Sequence, residues 1–256
     1  MPTQLEYGNW IRKKILLILG LCSLALGILA LIPLGPVCQI VMASLFALTF
    51  ISFLFPLYSY FMFSQKGGNF QEKVYGLIIR SLGDPIQGRL LDIGSGNGVL
   101  AVKLAQQHPE AEVVGMDYWG RDWEYSKSIC ERNAQIGKVE NRVRFQKGDA
   151  AALDFESDSF DGSVSNLTFH EVQSAPDKRE VVREALRVVK PGGSFAYVDY
   201  FYDPKFYGKL SGFEEYLKGL HLSQWEYKPL REMLAIPLLL RHPKILGKAG
   251  ILYGRK

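Results

Sequence analysis

A long uncharged stretch near the N-terminus dominates the pattern of polar and apolar positions along the chain. No Asp, Glu, Lys, Arg or His occurs from Ile15 to Gln65, a run of 51 residues. Within it, Ile15–Ile32 is a run of 18 apolar or small residues, and Val37–Phe63 is a second apolar stretch of 27 residues, with Pro33–Pro36 between them. As helices these runs reach about 27 Å and about 40 Å, against a hydrocarbon core of roughly 30 Å. The pattern therefore predicts a hairpin of two transmembrane helices, the second kinked at Pro56.

Positive charges flank the two apolar runs at their outer ends. Arg12, Lys13 and Lys14 precede the first run, Lys66 and Lys73 follow the second, and the turn between the runs has no positive charge. The positive-inside rule then predicts that both termini and the whole region after the hairpin face the cytoplasm. Four aromatic residues are expected to form an interfacial belt on that side: Tyr7, Trp10, Tyr58 and Tyr60.

The sequence leaves two other interpretations of this stretch open. Ile15–Ile32 resembles the apolar core of a signal peptide, although it is longer than usual and a second apolar run follows at once. The stretch also fits a buried helical hairpin of a soluble protein, an interpretation that 51 residues without charge disfavour. Retention of the protein in membranes after a carbonate wash distinguishes the anchor from the buried hairpin.

Beyond a flexible junction at Gly67–Asn69, the pattern changes to that of a soluble α/β domain. Phe70–Leu82 has the spacing of an amphipathic helix. Five short runs then have strand character: Arg89–Ile93, Glu112–Met116, Val143–Gln146, Phe160–Leu167 and Gly193–Tyr200. Helical periodicity separates them in three places: Val99–Gln107, Trp123–Gln135 and Lys178–Val189. This alternation predicts a mostly parallel sheet with helices on both faces, and ligands bind such sheets at the carboxyl ends of the strands.

Composition and charge exclude several classes of protein. All charged residues lie outside the apolar run, so the remainder is as charged as an ordinary soluble domain and the chain is neither disordered nor a polytopic transporter. The net charge is +4 without a long basic run, which argues against nucleic acid as an obligatory partner. Three cysteines suggest no disulfide framework, and four scattered histidines give no metal-binding cluster.

The loop after the first strand of this domain is rich in glycine. Gly94, Gly96 and Gly98 follow the strand at alternate positions, and Asp92 precedes the first of them by two residues. Glycine permits positive φ and a close approach of the backbone to a ligand, and the helix that follows presents free amides. The fingerprint of dinucleotide-binding enzymes needs a third glycine where Val99 stands, so that class of enzyme is disfavoured.

The glycine spacing and the ends of the later strands together resemble class I S-adenosylmethionine-dependent methyltransferases. The motifs are Leu90–Gly98, Val113–Asp117, Lys147–Ala150, Ser163–Leu167 and the turn at Val188–Gly193. The similarity covers about residues 88–200 and points to the group related to ubiquinone biosynthesis. It implies a Rossmann-like, doubly wound sheet of seven strands whose last two, over Trp225–Leu230 and Lys248–Gly254, form a hairpin. It also implies S-adenosyl-L-methionine as cofactor.

The resemblance assigns cofactor-binding roles to particular positions. We expect Asp117 to accept from the ribose hydroxyls, Asp149 and the Ala150 amide to contact the adenine, and Asn166 to lie under the methionine part. Asp92 would orient the loop or the methionine amine, and an aromatic ring after the second strand would stack on the adenosine. The complete set is Asp92, Gly94, Ser95, Gly96, Asp117, Tyr118, Asp149, Ala150 and Asn166. A structural role remains open for Asp149 as a helix cap, and Trp119 and Trp123 are candidates for a pocket wall.

Methyl transfer requires a base only when the acceptor must lose a proton. His170, Glu171 and Asp199 follow or end the fourth and fifth strands, and His170 is the candidate catalytic base because its ordinary pKa is near neutral. A histidine that only packs or caps the loop is an equally open interpretation. The segment Met233–Leu240 fits either a lid helix interrupted by Pro237 or a contact with the bilayer surface.

The predicted organisation is a membrane anchor over residues 1–66, with spans at about 15–32 and 37–63, a linker with an amphipathic helix over 67–87, and a methyltransferase domain over 88–256. The predicted function is methyl transfer to a small-molecule or lipid-soluble acceptor at the cytoplasmic face of a membrane. A membrane-anchored, non-catalytic protein that binds the same cofactor is the alternative. The sequence does not indicate the acceptor or the oligomeric state.

Overall fold

A computed structural model describes residues 4–33, 35–83, 86–120 and 124–256. The chain forms two compact units. One is Gly8–Gln71, and the other combines the described residues before Gly8 with Glu72–Lys256. The short segment Gln4–Tyr7 therefore belongs to the second unit, on the other side of the apolar run in sequence. The predicted domain boundaries at residues 66 and 88 remain predictions.

The first unit is a pair of helices, α1 (Lys13–Leu31) and α2 (Pro36–Phe63). Gly20 and Gly27 on α1 leave space for aromatic rings of α2, since a Cβ at these positions would lie 3.4 Å from Phe53 and 3.2 Å from Phe46. Small residues at such contacts let the two backbones approach closely, as in membrane helix pairs. The helical part of the hairpin prediction is thus confirmed.

The outer faces of both helices expose large apolar side chains. Leu31 is 83% exposed and Val37 is 74% exposed, and many other leucine and isoleucine side chains along both helices are 39–67% exposed. Both helices are long and apolar enough to cross a membrane, with mean hydropathies of 2.5 and 2.3. Length and composition alone give weak support for a membrane span.

The second unit contains a single sheet of seven strands. The strands are β1 (Gly88–Ile93), β2 (Ala111–Asp117), β3 (Val143–Lys147), β4 (Phe160–Asn166), β5 (Val189–Asp199), β6 (Gln224–Pro229) and β7 (Gly250–Arg255). Their order is β3-β2-β1-β4-β5-β7-β6, and only β7 runs antiparallel to its neighbours. The predicted doubly wound, mostly parallel sheet with a final hairpin is confirmed.

Helices connect the strands and cover the sheet. They are α3 (Phe70–Leu82), α4 (Val99–Gln107), α5 (Lys127–Ile136), α6 (Lys178–Arg187), α7 (Pro204–Tyr207), α8 (Leu210–Lys218) and α9 (Leu230–Met233). The core between helices and sheet is apolar and fully buried, with Leu91, Phe160, Val181 and Tyr197 each 0% exposed. The sheet therefore holds the carboxyl ends of β1 to β5 in fixed positions.

Two predicted boundaries differ from the structure by four residues, and other boundaries differ by one or two. The second predicted helix of the domain begins at Lys127 rather than at Trp123, because the Ser126 side chain caps the amide of Ile129; Trp123 itself lies outside the described residues. The fifth strand begins at Val189 rather than Gly193, since Phe160 of β4 already pairs with Val189 ahead of a register shift. The apolar alternation of these segments does not reveal either local contact.

The segment Met233–Leu240 is not a continuous helix, in keeping with the predicted interruption at Pro237, and its contact with the bilayer surface stays a prediction. Helix α9 ends at Met233, and a 3-10 turn follows at Leu238–Arg241. Pro237 lies between the two and interrupts a helical hydrogen-bond ladder, which accounts for the break. Ile236 and Leu240 are buried, while Leu238 is 78% exposed.

Candidate active site

The glycine-rich loop joins β1 to α4 and has the backbone shape that its glycines predict. Gly94 has φ of 79°, and a Cβ there would lie 2.0 Å from Oγ1 of Thr168. The Gly94 amide donates to the carbonyl of Met116 at the end of β2 (2.7 Å), and the Ser95 hydroxyl donates to the Asp92 carbonyl (3.0 Å). The loop is therefore fixed against its neighbours on both sides, and a side chain at Gly94 has no room.

Asp117 ends β2 and binds the loop through its carboxylate. One oxygen accepts from the Gly96 amide and the other from the Trp119 amide, both at 2.8 Å. Burial raises the pKa of the Asp117 carboxyl, while these amides oppose the change. Each carboxylate oxygen has a second lone pair, so Asp117 keeps the capacity to accept from two adjacent hydroxyls.

Trp119 lies against the glycine-rich loop. Its indole N–H donates to the Gly96 carbonyl at 2.9 Å, and the Cys130 thiol approaches the same oxygen at 3.2 Å. Trp119 has φ of 45°, in the left-handed region that bulky residues rarely adopt. The Gly96 peptide is thereby held at both its amide and its carbonyl, and Trp119 forms part of the wall beside it.

Three buried side-chain oxygens around this loop have no hydrogen-bond partner among the residues that the structure describes: Oδ2 of Asp92, Oδ1 of Asn97 and Oδ1 of Asn166. Asp92 is 1% exposed, and burial raises the pKa of its carboxyl to about 7. Buried acceptors without donors are unfavourable, so these atoms suit a ligand with ammonium, amine or hydroxyl donors. The methionine amine and the ribose of S-adenosylmethionine offer such donors, and the site fits that group.

The remaining predicted cofactor residues lie at the same edge of the sheet. The Asp149 carboxylate follows β3 and accepts from the Ala151 amide at 2.9 Å, as in a turn rather than a helix cap. Ala150 beside it is buried. Tyr118 is 64% exposed, with the Lys147 amine 5.1 Å from its ring centre. The structure thus places these residues near Asp117 at the carboxyl edge of the sheet.

His170 follows β4 and forms a close pair with Asp199 at the end of β5. Its Nδ1 lies 2.9 Å from the Asp199 carboxylate, and the two side chains are only 11% and 1% exposed. The Glu171 carboxylate lies 3.6 Å from Nε2. Desolvation lowers the pKa of the ring, but the negative charges of Asp199 and Glu171 outweigh it and raise the pKa of His170 to about 9. At neutral pH the ring is therefore an imidazolium, and the near-neutral pKa expected for a free base is not what the fold provides.

Aromatic rings enclose the pair formed by His170 and Asp199. The imidazole centre lies 4.5 Å from that of Tyr200 and 5.4 Å from that of Phe206. Both rings come from the chain that follows β5, although the sequence predicts Tyr200 as the last residue of the fifth strand and predicts no element at Phe206. A cationic donor beside aromatic surfaces suits a planar or unsaturated acceptor with an oxygen atom.

The loops at this edge contact one another in a continuous row across five strands. The loop after β2 touches the loops after β1 and β3 through Asp117, whose carbonyl also accepts from the amide following β3. The loop after β1 meets the loop after β4 where Gly94 faces Thr168. The loop after β4 is bonded to the end of β5 through His170 and Asp199. The structure therefore gathers the predicted residues into one site.

Several residues of the site were not identified from the sequence. Asn97 and Cys130 touch or form the glycine-rich loop, but a single asparagine or cysteine in a helical or glycine-rich context carries no distinctive pattern. The buried Asn133 on α5 is the clearest example, because its helical position alone predicts only packing. Its contacts span more than thirty residues of sequence, and only the fold brings them together.

Comparison with known families gives a match to the methyltransferase domain over residues 91–197. A methyltransferase of Bacillus subtilis, YcgJ, whose function is uncharacterised, is 34% identical over 59% of this chain and 58% of its own length. A demethylmenaquinone methyltransferase of Roseiflexus castenholzii is 35% identical over 44% of this chain and 42% of its own length. The regions that match this chain make up only about half of the length of each of these two relatives.

Solved structures show the same fold at low sequence identity. The crystal structure of YcgJ superposes with a TM-score of 0.51 at 23% identity, covering 72% of this chain and 98% of the other. A geranyl diphosphate C-methyltransferase of Streptomyces coelicolor, solved with S-adenosyl-L-homocysteine, gives a TM-score of 0.54 at 14% identity, covering 73% and 79%. These likenesses establish the architecture of the second unit.

Proposed function

The chain carries a class I S-adenosylmethionine-dependent methyltransferase domain, and from this premise we propose that the whole protein methylates a small, lipid-soluble acceptor at a membrane surface. The row of loops at the carboxyl edge of the sheet is the observation that carries the proposal. It joins the residues expected to hold the cofactor to the pair His170–Asp199 within one site.

Asp92, Asp117 and Asn166 are the residues that we propose to hold the cofactor by its polar groups. Asp117 takes the ribose, and the unpaired oxygens of Asp92 and Asn166 take donors of the methionine part. S-adenosylmethionine supplies, when bound, a methyl group already activated by its sulfonium. The protein then contributes mainly by placing the acceptor and excluding water.

His170 is proposed to bind the acceptor rather than to remove its proton at neutral pH. Asp199 holds Nδ1, and the Glu171 carboxylate lies 3.6 Å from Nε2, beyond the length of a hydrogen bond. The proton on Nε2 is therefore proposed to be donated to an oxygen of the acceptor. The raised pKa keeps that proton in place, so the imidazolium favours an acceptor that is already anionic or becomes so. Tyr200 and Phe206 would contact its apolar part.

The hairpin α1–α2 is proposed to anchor the protein with both termini and the methyltransferase domain in the cytoplasm. Its exposed leucine and isoleucine side chains would be unfavourable in water and are favourable in lipid. An anchor of this kind keeps the site close to acceptors that dissolve in the bilayer. The name of the Roseiflexus relative, which refers to demethylmenaquinone, agrees with an acceptor of that solubility.

Two experiments test the proposal. S-adenosylhomocysteine should raise the melting temperature of the purified full chain, and NAD should not.

Asp117→Ala should weaken the binding of S-adenosylhomocysteine by about 1.5–3 kcal/mol in calorimetry, as expected for hydrogen bonds to a charged group. Unchanged affinity in this variant contradicts the role of Asp117.

The acceptor class is tested by incubating the protein with cofactor labelled in the methyl group, together with membrane lipids or with soluble metabolites. Label in the lipid fraction is the expected result, and label only in the soluble fraction contradicts the lipid-soluble acceptor. Binding of S-adenosylhomocysteine without transfer to either fraction would support the non-catalytic alternative.

A further inference from the structure

The side chain of Asn133 on α5 links the N-terminal segment Gln4–Tyr7 to the glycine-rich loop. Asn133 is 0% exposed. Its Oδ1 accepts from the Glu6 amide at 2.8 Å, and its Nδ2 donates to the Glu6 carbonyl at 3.0 Å. The same Nδ2 donates to the carbonyl of Asn97 at 2.8 Å, within the loop. One buried amide therefore connects two segments that are distant in sequence.

This bridge has requirements that only an amide side chain meets. The backbone N–H of Glu6 needs an acceptor, the backbone carbonyl of Glu6 needs a donor, and the Asn97 carbonyl needs a second donor. An asparagine offers two N–H donors and an acceptor, whereas aspartate lacks the donors and leucine lacks all three. Asn97 lies between Gly96 and Gly98, so its carbonyl sets the orientation of the peptide that leads into α4.

A second set of contacts holds the same segment next to the bridge. The Tyr7 hydroxyl donates to the carboxylate of Glu72, which also accepts from the Lys103 amine at 2.8 Å. Tyr7 is 8% exposed, so the tyrosine predicted to lie in an interfacial belt is instead buried in the methyltransferase unit. The physical reason is the pairing of its hydroxyl with a carboxylate, which a membrane interface does not supply. An exposed ion pair between Arg132 and Glu6 (2.8 Å) lies at the outer side.

We propose that the N-terminal segment Gln4–Tyr7 positions the glycine-rich loop through Asn133 and so sets the affinity for the cofactor. Asn133 acts as a positioning residue, since its described contacts are with the backbone of Glu6 and with the Asn97 carbonyl of the loop. The unit that contains the hairpin begins at Gly8, directly after Tyr7 in the chain, so the segment that precedes this unit is bonded to the glycine-rich loop. The inference rests on the proposed function only in taking the ligand of that loop to be S-adenosylmethionine.

Thermodynamic linkage makes the coupling reciprocal. If the segment stabilises the binding-competent loop, then binding must stabilise the segment by the same factor. The Glu6 N–H is bonded only to Asn133 Oδ1 among the contacts described for it, so its exchange with solvent reports the state of the bridge. S-adenosylhomocysteine should therefore slow hydrogen exchange in the peptide that contains Glu6, although none of the residues proposed to hold the cofactor lies in that segment.

The experiment uses the full chain in lipid nanodiscs with two matched pairs of variants. Asn133→Asp removes both donors from the bridge, and Arg132→Ala removes only the surface ion pair beside it. Glu6→Pro removes the N–H that the bridge needs, and Glu6→Ala keeps it while losing the ion pair. Binding of S-adenosylhomocysteine is measured by calorimetry, and kcat and KM are measured with the acceptor fraction found above.

We expect Asn133→Asp and Glu6→Pro to weaken binding by about 5- to 150-fold, the factor that ordinary coupling free energies give. The KM for the cofactor should rise by a similar factor with little change in kcat. Arg132→Ala and Glu6→Ala should stay within about 2-fold of the parent chain. A role limited to folding would lower the melting temperature without this separation of KM from kcat.

Three results overturn the proposal: parental affinity in both Asn133→Asp and Glu6→Pro, equal losses in test and control variants, or hydrogen exchange at Glu6 that ligand does not change. If Asn133→Asp fails to fold, Glu6→Pro decides the question, because it alters a segment at the surface of the unit. Failure of the parent chain to bind S-adenosylhomocysteine contradicts the proposed function instead, so the two failures are distinguishable.

Discussion

Asp92 lies fully buried at the end of β1, and its carboxyl has a pKa of about 7 because burial disfavours the charged form. An ammonium placed against its unpaired Oδ2 would favour ionisation and lower that pKa. We therefore expect cofactor binding to release a fraction of a proton at pH 7 and to strengthen as pH rises from 6 to 8. Calorimetry in two buffers of different ionisation enthalpy measures the release. Asp92→Asn is the control, and equal proton release in it contradicts the assignment.

His170 makes the stability of the fold depend on pH. Its pKa is raised from 6.5 to about 9 by Asp199 and Glu171, so the native state holds the proton more tightly than the unfolded state. The stabilisation is complete below pH 6.5 and is lost as pH rises through 9, by about 2–4 kcal/mol in total. Melting temperatures between pH 6.5 and 9.5 should fall, and His170→Gln should flatten that slope. His221→Gln, at an exposed histidine, should leave it unchanged; the same slope in both variants excludes His170 as its source.

Gly94 and Gly96 both adopt positive φ but differ in the space around them. A Cβ at Gly94 would lie 2.0 Å from Thr168, whereas one at Gly96 would meet Tyr125 at 3.5 Å, an ordinary contact. Gly94→Ala should therefore destabilise the protein by about 2–4 kcal/mol, and Gly96→Ala by only about 1–2 kcal/mol from its backbone conformation. Chemical denaturation measures both. Equal losses would mean that the contact with Thr168 does not decide the effect.

At the scale of elements, apolar periodicity located the strands of the sheet and the helices between them. Phe70–Leu82 and Val99–Gln107 match the predicted helices in both bounds, because an amphipathic run between polar junctions determines its own length. The start of α5 and the start of β5 differ from prediction. Ser126 and Phe160 decide those boundaries through a cap and a strand pairing, and such single hydrogen bonds leave little trace in a hydropathy pattern.

The same distinction separates the parts of the site. Asp92 and Asp117 lie at the ends of their strands and the glycines follow β1 directly, so the sequence alone placed them at the carboxyl edge. Asn133 and the segment Gln4–Tyr7 reach that edge from elsewhere in the chain, and their role depends on contacts across more than a hundred residues. Local sequence patterns contain no information about such contacts.

At the scale of the whole molecule, the proposed topology places the turn between α1 and α2 on the far side of the membrane. In a chain without its native cysteines, Gly35→Cys should react with an impermeant maleimide in intact cells. Lys218→Cys, on the exposed side of α8, should react only after permeabilisation. The reverse pattern would invert the orientation, and protection of Gly35→Cys under both conditions would contradict a turn outside the membrane.

The sequence by itself determined the class of the sheet, the two apolar helices and the glycine-rich loop, because each depends on residues that are neighbours in the chain. The tertiary structure decided which polar groups meet. It placed Asp199 against His170 and raised the pKa of the imidazole, it left an oxygen of Asp92 unpaired, and it brought Glu6 to Asn133. Burial and charge proximity are properties of three-dimensional packing, so they set the chemistry of these side chains only after the chain has folded.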